Sequence, residues 1–202
     1  MSIPDTLVII HYHMLPGGVC SAIKNSVFAL SRSGWLAHRT LRVLTGRTEG
    51  VAEFAEYLQR MGVQVEVEVD ERLDYSERVW SERDDFWHDA SALATWLLQQ
   101  GGGTSVFWTH NPTLGKNALL TAGLMLAVQQ AEAEDSPHRF LYHIHDFAEC
   151  GRLWNLTNLR RCWKGGGLED FYPVASNVGY AVLNRADFLR LTRAGISKAR
   201  IF

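Results

Sequence analysis

The sequence lacks the features that mark several classes of protein. Its 20 lysines and arginines nearly balance 22 aspartates and glutamates, giving a formal net charge of -2, so no field of one sign favours nucleic acid or an anionic membrane. The longest apolar run, residues 118–128, falls short of the roughly 20 residues that span a bilayer. The first residues show no basic stretch followed by a long apolar one. We therefore expect no export signal, no membrane-spanning segment and no nucleic-acid partner.

Cysteine is also scarce. Cys20, Cys150 and Cys162 are the three cysteines of the sequence, and no two of them form a CxxC pair. An odd, scattered set fits reduced thiols better than a disulfide framework. We therefore expect a cytoplasmic protein.

What the sequence does contain is an alternation of strand and helix patterns. A continuous apolar run at residues 7–10 predicts a buried parallel strand, which leads into a glycine turn and a helical pattern. Further strands are predicted at residues 40–44, 63–69, 105–109, 140–144 and 179–183, with another beginning at 199–202. The alternation predicts one Rossmann-like α/β domain over residues 1–202, with a doubly wound, mostly parallel sheet and helices on both faces.

One segment, residues 149–176, does not follow this alternation. It combines several arginines with Trp154, Trp163 and Tyr172 and with a run of glycines at 165–167. We predict an irregular excursion, either a functional loop or an ordered insertion. The two tryptophans are interpreted as packing against the domain, with stacking on a sugar ring as the alternative.

Histidines gather where the predicted strands end. In an open α/β sheet, ligands bind beyond the carboxyl ends of the strands, where loops and helix amino termini converge. Five of the eight histidines follow the first, fourth and fifth strands, namely His11, His13, His110, His143 and His145. Because the strands are predicted to be parallel, we expect these histidines to share one edge of the sheet.

His145 is the strongest catalytic candidate among them. An imidazole at a strand end can exchange a proton near neutral pH, and the adjacent Asp146 can fix its tautomer. Asp146 has a second interpretation, as a cap on the following segment, because neighbouring side chains on a strand point to opposite faces. His143 is interpreted as a packed or supporting histidine.

The turn before the first helix is a second candidate. Gly17 and Gly18 leave backbone N–H groups uncovered beside the positive end of the helix dipole, which suits a phosphate or a sugar hydroxyl. The Gly-Gly-Val sequence matches neither the dinucleotide-binding pattern nor the P-loop pattern. A purely structural tight turn therefore stays open as an alternative.

A metal site is another possible use of the histidines. His110, His143, His145, Asp146 and Cys150 are all of ligand type. Their spacing matches no established closed set of ligands, so we predict no metal and no other cofactor. A metal-dependent hydrolase that uses the three histidines and Asp146 stays open as a lesser alternative.

Several short motifs, taken in order, give the chain a family resemblance. They are His-Tyr-His at 11–13, Leu-Pro-Gly-Gly-Val at 15–19, His-Asn-Pro at 110–112, Tyr-His-Ile-His-Asp-Phe at 142–147, Ala-Val-Leu-Asn at 181–184 and Ala-Gly-Ile-Ser-Lys-Ala-Arg-Ile at 194–201. With this order and spacing, the chain resembles the N-terminal domain of GT-B retaining glycosyltransferases, the group that includes sucrose and mannosyl transferases. The similarity covers nearly the whole chain, while each motif is loose by itself.

The resemblance implies transfer of a sugar from a nucleotide-sugar donor to a hydroxyl acceptor, with retention and without a metal. It implies that His145 contacts the transferred sugar and the reacting centre, and that Gly17 and Gly18 lie against the donor diphosphate or the acceptor. The other site residues that it implies, around the acceptor and donor, are His110, Asn111, Asp146, Glu149 and Arg152. Arg152 is expected to meet an anionic group of either substrate.

The resemblance also implies a second domain that holds the nucleotide sugar, and residues 1–202 contain no counterpart of it. We therefore expect the chain to be the acceptor-side half of a two-domain hexosyltransferase and to be inactive by itself. The alternative function is a non-catalytic module that binds a small molecule or a protein at the same edge of the sheet.

Overall fold

The structure is a computed structural model that describes residues 4–163 and 171–202. The strands within these ranges are β1 (Thr6–His11), β2 (Thr40–Thr45), β3 (Glu66–Val69), β4 (Ser105–His110), β5 (Arg139–Ile144) and β6 (Val178–Val182). The helices are α1 (Gly18–Arg32), α2 (Val51–Arg60), α3 (Arg83–Gln99), α4 (Ala118–Ala133), α5 (Leu153–Cys162) and α6 (Arg185–Arg193).

All six strands form one sheet in the order β3-β2-β1-β4-β5-β6, and every neighbouring pair is parallel. The predicted Rossmann-like α/β fold is confirmed. Strand β3 lies at the edge of the sheet, as its alternation of valines with polar residues predicts. The order reverses between β1 and β4, the point at which open α/β sheets form a ligand crevice.

The strand predicted at residues 199–202 is wrong. Residues Lys198–Arg200 form a 3-10 turn, and Ile201 makes a single parallel bridge to Tyr180 of β6. The backbone of Phe202 bonds both Tyr180 and Val182. The turn takes up the residues that would have begun the strand, so the pairing with β6 does not start before Ile201.

The two faces of the sheet carry separate apolar cores. Helices α1 and α2 cover one face, where Ile23 and Phe54 are fully buried against β1 and β2. Helices α3 and α4 cover the other face, where Phe107 of β4 packs. Most of α4 is buried, which explains its apolar composition. Within the described ranges, no helix has both the length and the apolar character needed to cross a membrane.

The segment 149–176 contains a helix that the sequence analysis did not predict. Leu156, Leu159 and Cys162 are buried along α5 at a spacing of three residues. Trp163 is buried, as expected, whereas Trp154 is 59% exposed and its Nε1 donates to Glu77. The glycine run at 165–167 lies outside the described residues.

Candidate functional site

Four histidine rings meet at the carboxyl ends of three adjacent strands. His11 ends β1, His110 ends β4, and His143 and His145 lie at the end of β5, with His110 and His143 in register across the β4–β5 pair. The ring centroids are 4.2 Å apart for His143 and His145, 4.9 Å for His110 and His143, and 6.2 Å for His11 and His110. The prediction that these histidines share one edge is confirmed, and we call the four residues the histidine rim.

The rings of His110 and His145 are hydrogen-bonded directly, with 2.9 Å between Nδ1 of His110 and Nε2 of His145. In neutral imidazoles one of these nitrogens carries the proton and the other accepts it. This contact corrects an expectation, because His110 rather than Asp146 bonds the ring of His145. Asp146 instead pairs with Arg152 at 3.0 Å.

The histidine rim is electrically neutral at pH 7. Burial lowers the pKa of His11 to about 3, and burial with the neighbouring His145 lowers the pKa of His143 to about 4. Burial and the surrounding imidazoles hold the pKa of His110 well below its usual value. Burial also lowers the pKa of His145, although the carboxylate of Asp146 opposes this shift. The four rings therefore act as hydrogen-bonding groups or ligands, not as cations.

Asn111 fixes the backbone around this site. Its side-chain oxygen accepts hydrogen bonds from the backbone N–H groups of His145, at 2.7 Å, and Asp146, at 3.1 Å. Its own N–H donates to the carbonyl of His143, and its carbonyl accepts from the hydroxyl of Tyr12. Asn111 is 3% exposed and has a φ of 56°, a conformation that asparagine tolerates better than most residues. It was predicted beside the acceptor, and it lies beneath the surface as a support for His145.

The other predicted residues after β5 lie nearby. Asp146 and Arg152 form a half-exposed ion pair at the edge of the histidine rim. Glu149 accepts hydrogen bonds from the hydroxyl of Tyr172 at 3.1 and 3.2 Å, which ties the loop after β5 to the loop before β6. Glu149 therefore anchors the surrounding backbone, while Arg152 presents a charge near the site.

The glycine turn opens α1 at the same edge of the sheet. Helix α1 begins at Gly18, follows β1 and has no side-chain cap at this end. A Cβ at Gly18 would meet no atom within 4 Å, and one at Gly17 would meet only a carbonyl oxygen at 3.9 Å. The space above the turn is therefore open, so the first N–H groups of the helix are accessible to a ligand.

The structure adds a second group of residues that sequence reasoning did not find, centred on Tyr75. The Tyr75 hydroxyl lies 3.1 Å from Nε2 of His13, and the charged groups of Arg47 and Lys116 lie 5.7 and 5.2 Å from the Tyr75 ring. Asn117 at the start of α4 holds the backbone of this loop through bonds to two of its carbonyls. In the sequence, Tyr75 stands in a charged stretch without periodicity, so no local signal placed it here.

A small polar cavity of about 150 Å³ lies between the Tyr75 loop and the start of α5. Tyr75, Lys116 and Trp154 are among its lining residues, so an aromatic face, a cation and an exposed indole meet there.

No protein-family model matches the chain. The chain is similar to a mannosylglucosyl-3-phosphoglycerate synthase from Petrotoga mobilis, with 25% identity over 208 aligned residues. The alignment covers 98% of this chain and 36% of the relative. The chain thus spans little more than a third of the length of that relative.

Proposed function

We propose that this chain belongs to a glycosyltransferase that moves a sugar from a nucleotide-sugar donor to a hydroxyl acceptor. The histidine rim is the observation that carries the proposal, because neutral imidazoles stand at the edge where α/β sheets bind ligands. The name of the Petrotoga mobilis relative describes the synthesis of a mannosylglucosyl compound, and the alignment with that relative covers 98% of this chain. This similarity supports a role in sugar transfer.

His145 is proposed to contact the transferred sugar. Its Nε2 is engaged with His110, which leaves Nδ1 for a substrate. When Nε2 accepts from His110, Nδ1 carries a proton and donates to a sugar hydroxyl or to the leaving oxygen. Asn111 and His110 would then hold the His145 ring at a fixed angle. The entropic cost of orienting the ring is therefore met before the reaction begins.

The neighbouring polar groups are proposed to bind the rest of the substrates. The N–H groups at Gly17 and Gly18 would lie against the donor diphosphate or the acceptor, as anions bind helix amino termini. Arg152 would meet an anionic group, exchanging its half-exposed pair with Asp146 for the ligand. The reaction is proposed to retain the configuration of the sugar and to need no metal.

The nucleotide sugar is proposed to be held mainly by a second domain, in a GT-B arrangement in which this chain faces the acceptor. The relative is much longer than this chain, which leaves ample length for such a domain. A typical domain has about 50–250 residues. By this proposal the 202-residue chain binds acceptor without transferring sugar.

The test uses the product of the whole reading frame, incubated with a panel of nucleotide sugars and hydroxyl acceptors, with glycosylated products detected by mass. His145→Ala is expected to reduce the transfer rate by on the order of 100-fold or more, the usual effect of losing a positioned proton-transfer group. His88→Ala is the matched control, because His88 is exposed on α3 and is not part of the histidine rim. Wild-type rates for His145→Ala would remove the proposed role.

A separate readout tests retention. Proton NMR of the first product formed reports whether the anomeric configuration of the donor is kept, and inversion would contradict the proposal. Absence of transfer with every donor, combined with saturable binding of a small molecule, would favour the binding module instead.

A further inference from the structure

Three of the histidines are arranged as ligands of a metal ion. His143 and His145 are two residues apart on one strand, and His110 faces His143 from the next strand. One ring nitrogen from each of His110, His143 and His145 can be chosen so that all three lie within 4.8 Å of one another. We call these residues the three-histidine cluster.

The cluster also contains a polar atom that the described protein leaves without a partner. Nδ1 of His143 is buried and makes no hydrogen bond in the described ranges. Buried polar atoms are normally satisfied, and exceptions point to a ligand or a function. Trp108 lies below the cluster with its ring parallel to that of His143, so the floor of the site is apolar. An apolar shell controls the access of solvent to a bound ion.

We propose that the three-histidine cluster binds a divalent transition-metal ion of the zinc type. Three imidazoles are a well-attested protein ligand set for zinc, and a fourth position is left for water. Magnesium and calcium are disfavoured, because they require oxygen ligands and the cluster offers nitrogen. This differs from the sequence-based expectation of no metal, and it goes beyond the proposed sugar transfer, which is assigned no ion.

The rings would have to rearrange to hold such an ion, because the candidate ligand nitrogens of the three histidines lie up to 4.8 Å apart. Zinc–nitrogen bonds of about 2.0 Å in tetrahedral geometry place two ligand nitrogens about 3.3 Å apart. His110 and His145 are at 2.9 Å, so their rings would separate by a few tenths of an ångström. The ion would replace the hydrogen bond between them, with the proton of His110 moving to its other ring nitrogen. His143 and His145 are only half-buried, which gives the ion a path from solvent.

The orientation of His145 would then no longer depend on His110. With the ion on Nε2, the proton of the neutral ring must lie on Nδ1, the nitrogen proposed to face the sugar. The metal site and the sugar contact therefore use different nitrogens of the same ring. Binding of the ion is measurable without any sugar substrate, so failure of either proposal leaves the other intact.

The experiment uses the 202-residue chain after treatment with a chelator and removal of the chelator. Titration with Co²⁺ is followed by visible absorption, which reports tetrahedral nitrogen coordination, and titration with Zn²⁺ is followed by calorimetry. The wild type is expected to bind one ion per chain and to melt at a higher temperature with Zn²⁺. Mg²⁺ in excess is expected not to compete.

Variants separate the cluster from adventitious surface binding. His143→Ala and His145→Gln are expected to weaken Zn²⁺ binding by on the order of 100-fold or more, since even outer-shell changes cost 10- to 100-fold. His38→Ala is the matched control, because His38 is exposed and distant in sequence from the cluster. Circular dichroism checks folding, and the half-exposed His145 supplies a usable variant where His143→Ala does not fold. Absence of stoichiometric binding to the wild type, or equal binding by the cluster variants and His38→Ala, would overturn the proposal.

Discussion

A single buried side chain, Asn111, sets the position of the backbone that carries His145 and Asp146. Its amide oxygen accepts two backbone N–H groups, and its positive φ turns the chain away from β4. Few residue types satisfy both conditions, because most side chains avoid this conformation and lack an acceptor of the right length. The geometry of the site therefore depends on a residue that is proposed to touch no substrate.

Replacement of Asn111 tests this dependence. Asn111→Gly keeps the conformation and removes the acceptor, so two N–H groups lose their partner and the free energy of unfolding is expected to fall by about 2–4 kcal/mol. Asn111→Asp keeps an acceptor oxygen and is expected to lose less. Urea unfolding of both variants measures the difference, and equal stabilities for the two would contradict the role assigned to the amide oxygen.

Arg152 offers a test of substrate binding at the same scale. Its partner Asp146 leaves it half-exposed, so an anionic substrate group can compete for it. Arg152→Ala is expected to raise KM for an anionic substrate by on the order of tenfold with little change in kcat, as expected for a charged hydrogen bond made equally in ground and transition states. Arg160→Ala, an exposed arginine on α5, is the control, and an equal rise in KM there would argue against a specific contact.

The sequence predicted the histidines of the site better than their supports. His11, His110 and His145 follow buried strands, and parallel strands bring such ends together whatever lies between them. The role of Asn111 and the approach of Tyr75 to His13 depend on backbone turns and on contacts across 34 and 62 residues. No local pattern encodes contacts of that kind.

At the scale of the element, the start of α4 connects the central helix to the Tyr75 loop. Asn117 caps α4 through its side-chain oxygen, which accepts from the N–H of Leu120. The same amide donates to the carbonyls of Arg72 and Asp74, and the residue is fully buried. One side chain thus begins a helix and fixes a loop beside the candidate site.

Asn117→Ala is expected to lower the free energy of unfolding by about 2–4 kcal/mol, because it removes a helix cap and leaves two carbonyls without a donor. Asn184 is the matched control, since it caps α6 from an exposed position. Asn184→Ala is expected to cost about 1 kcal/mol, the ordinary loss of a cap. Thermal or urea unfolding compares the two, and equal losses would show that the bonds to the loop contribute nothing.

The elements themselves were predicted where periodicity is strong. The five strands predicted after β1 from continuous or alternating apolar runs all appear in the structure. Helix α5 was not predicted, because arginines and glycines around its apolar positions conceal the helical spacing. The strand predicted at 199–202 failed for the opposite reason. Its residues have a strand-like composition, yet the 3-10 turn before them leaves one bridging residue to pair with β6.

At the scale of the whole molecule, the neutral histidine rim links stability to pH. His11 has a pKa of about 3 when folded, against 6.5 for an ordinary histidine, so between these values the unfolded chain binds more protons. Its contribution is fully present above pH 6.5 and is lost as the pH falls toward 3. His143, with a pKa of about 4, changes stability in the same direction over a narrower range.

Unfolding measured from pH 8 to pH 4, with a chelator present, is expected to show constant stability above pH 6.5 and a decline below it. His11→Gln is expected to reduce the slope of that decline by about 1.4 kcal/mol per pH unit, the linkage of one proton. His38→Gln, at an exposed position, is expected to leave the slope unchanged. A slope that is the same in wild type and His11→Gln would show that His11 titrates normally in the folded state.

The most direct test of the central claim, that the carboxyl edge of this sheet is a sugar-binding site, is a map of which imidazoles a substrate touches. Proton–nitrogen NMR spectra of the eight histidine rings, recorded with and without the sugar substrate found by the transfer assay, supply that map. We predict that the ring signals of His145 and of its partner His110 shift on binding, while those of the exposed His38 and His88 stay in place. Saturable binding with no change at His145 or His110 would contradict the account.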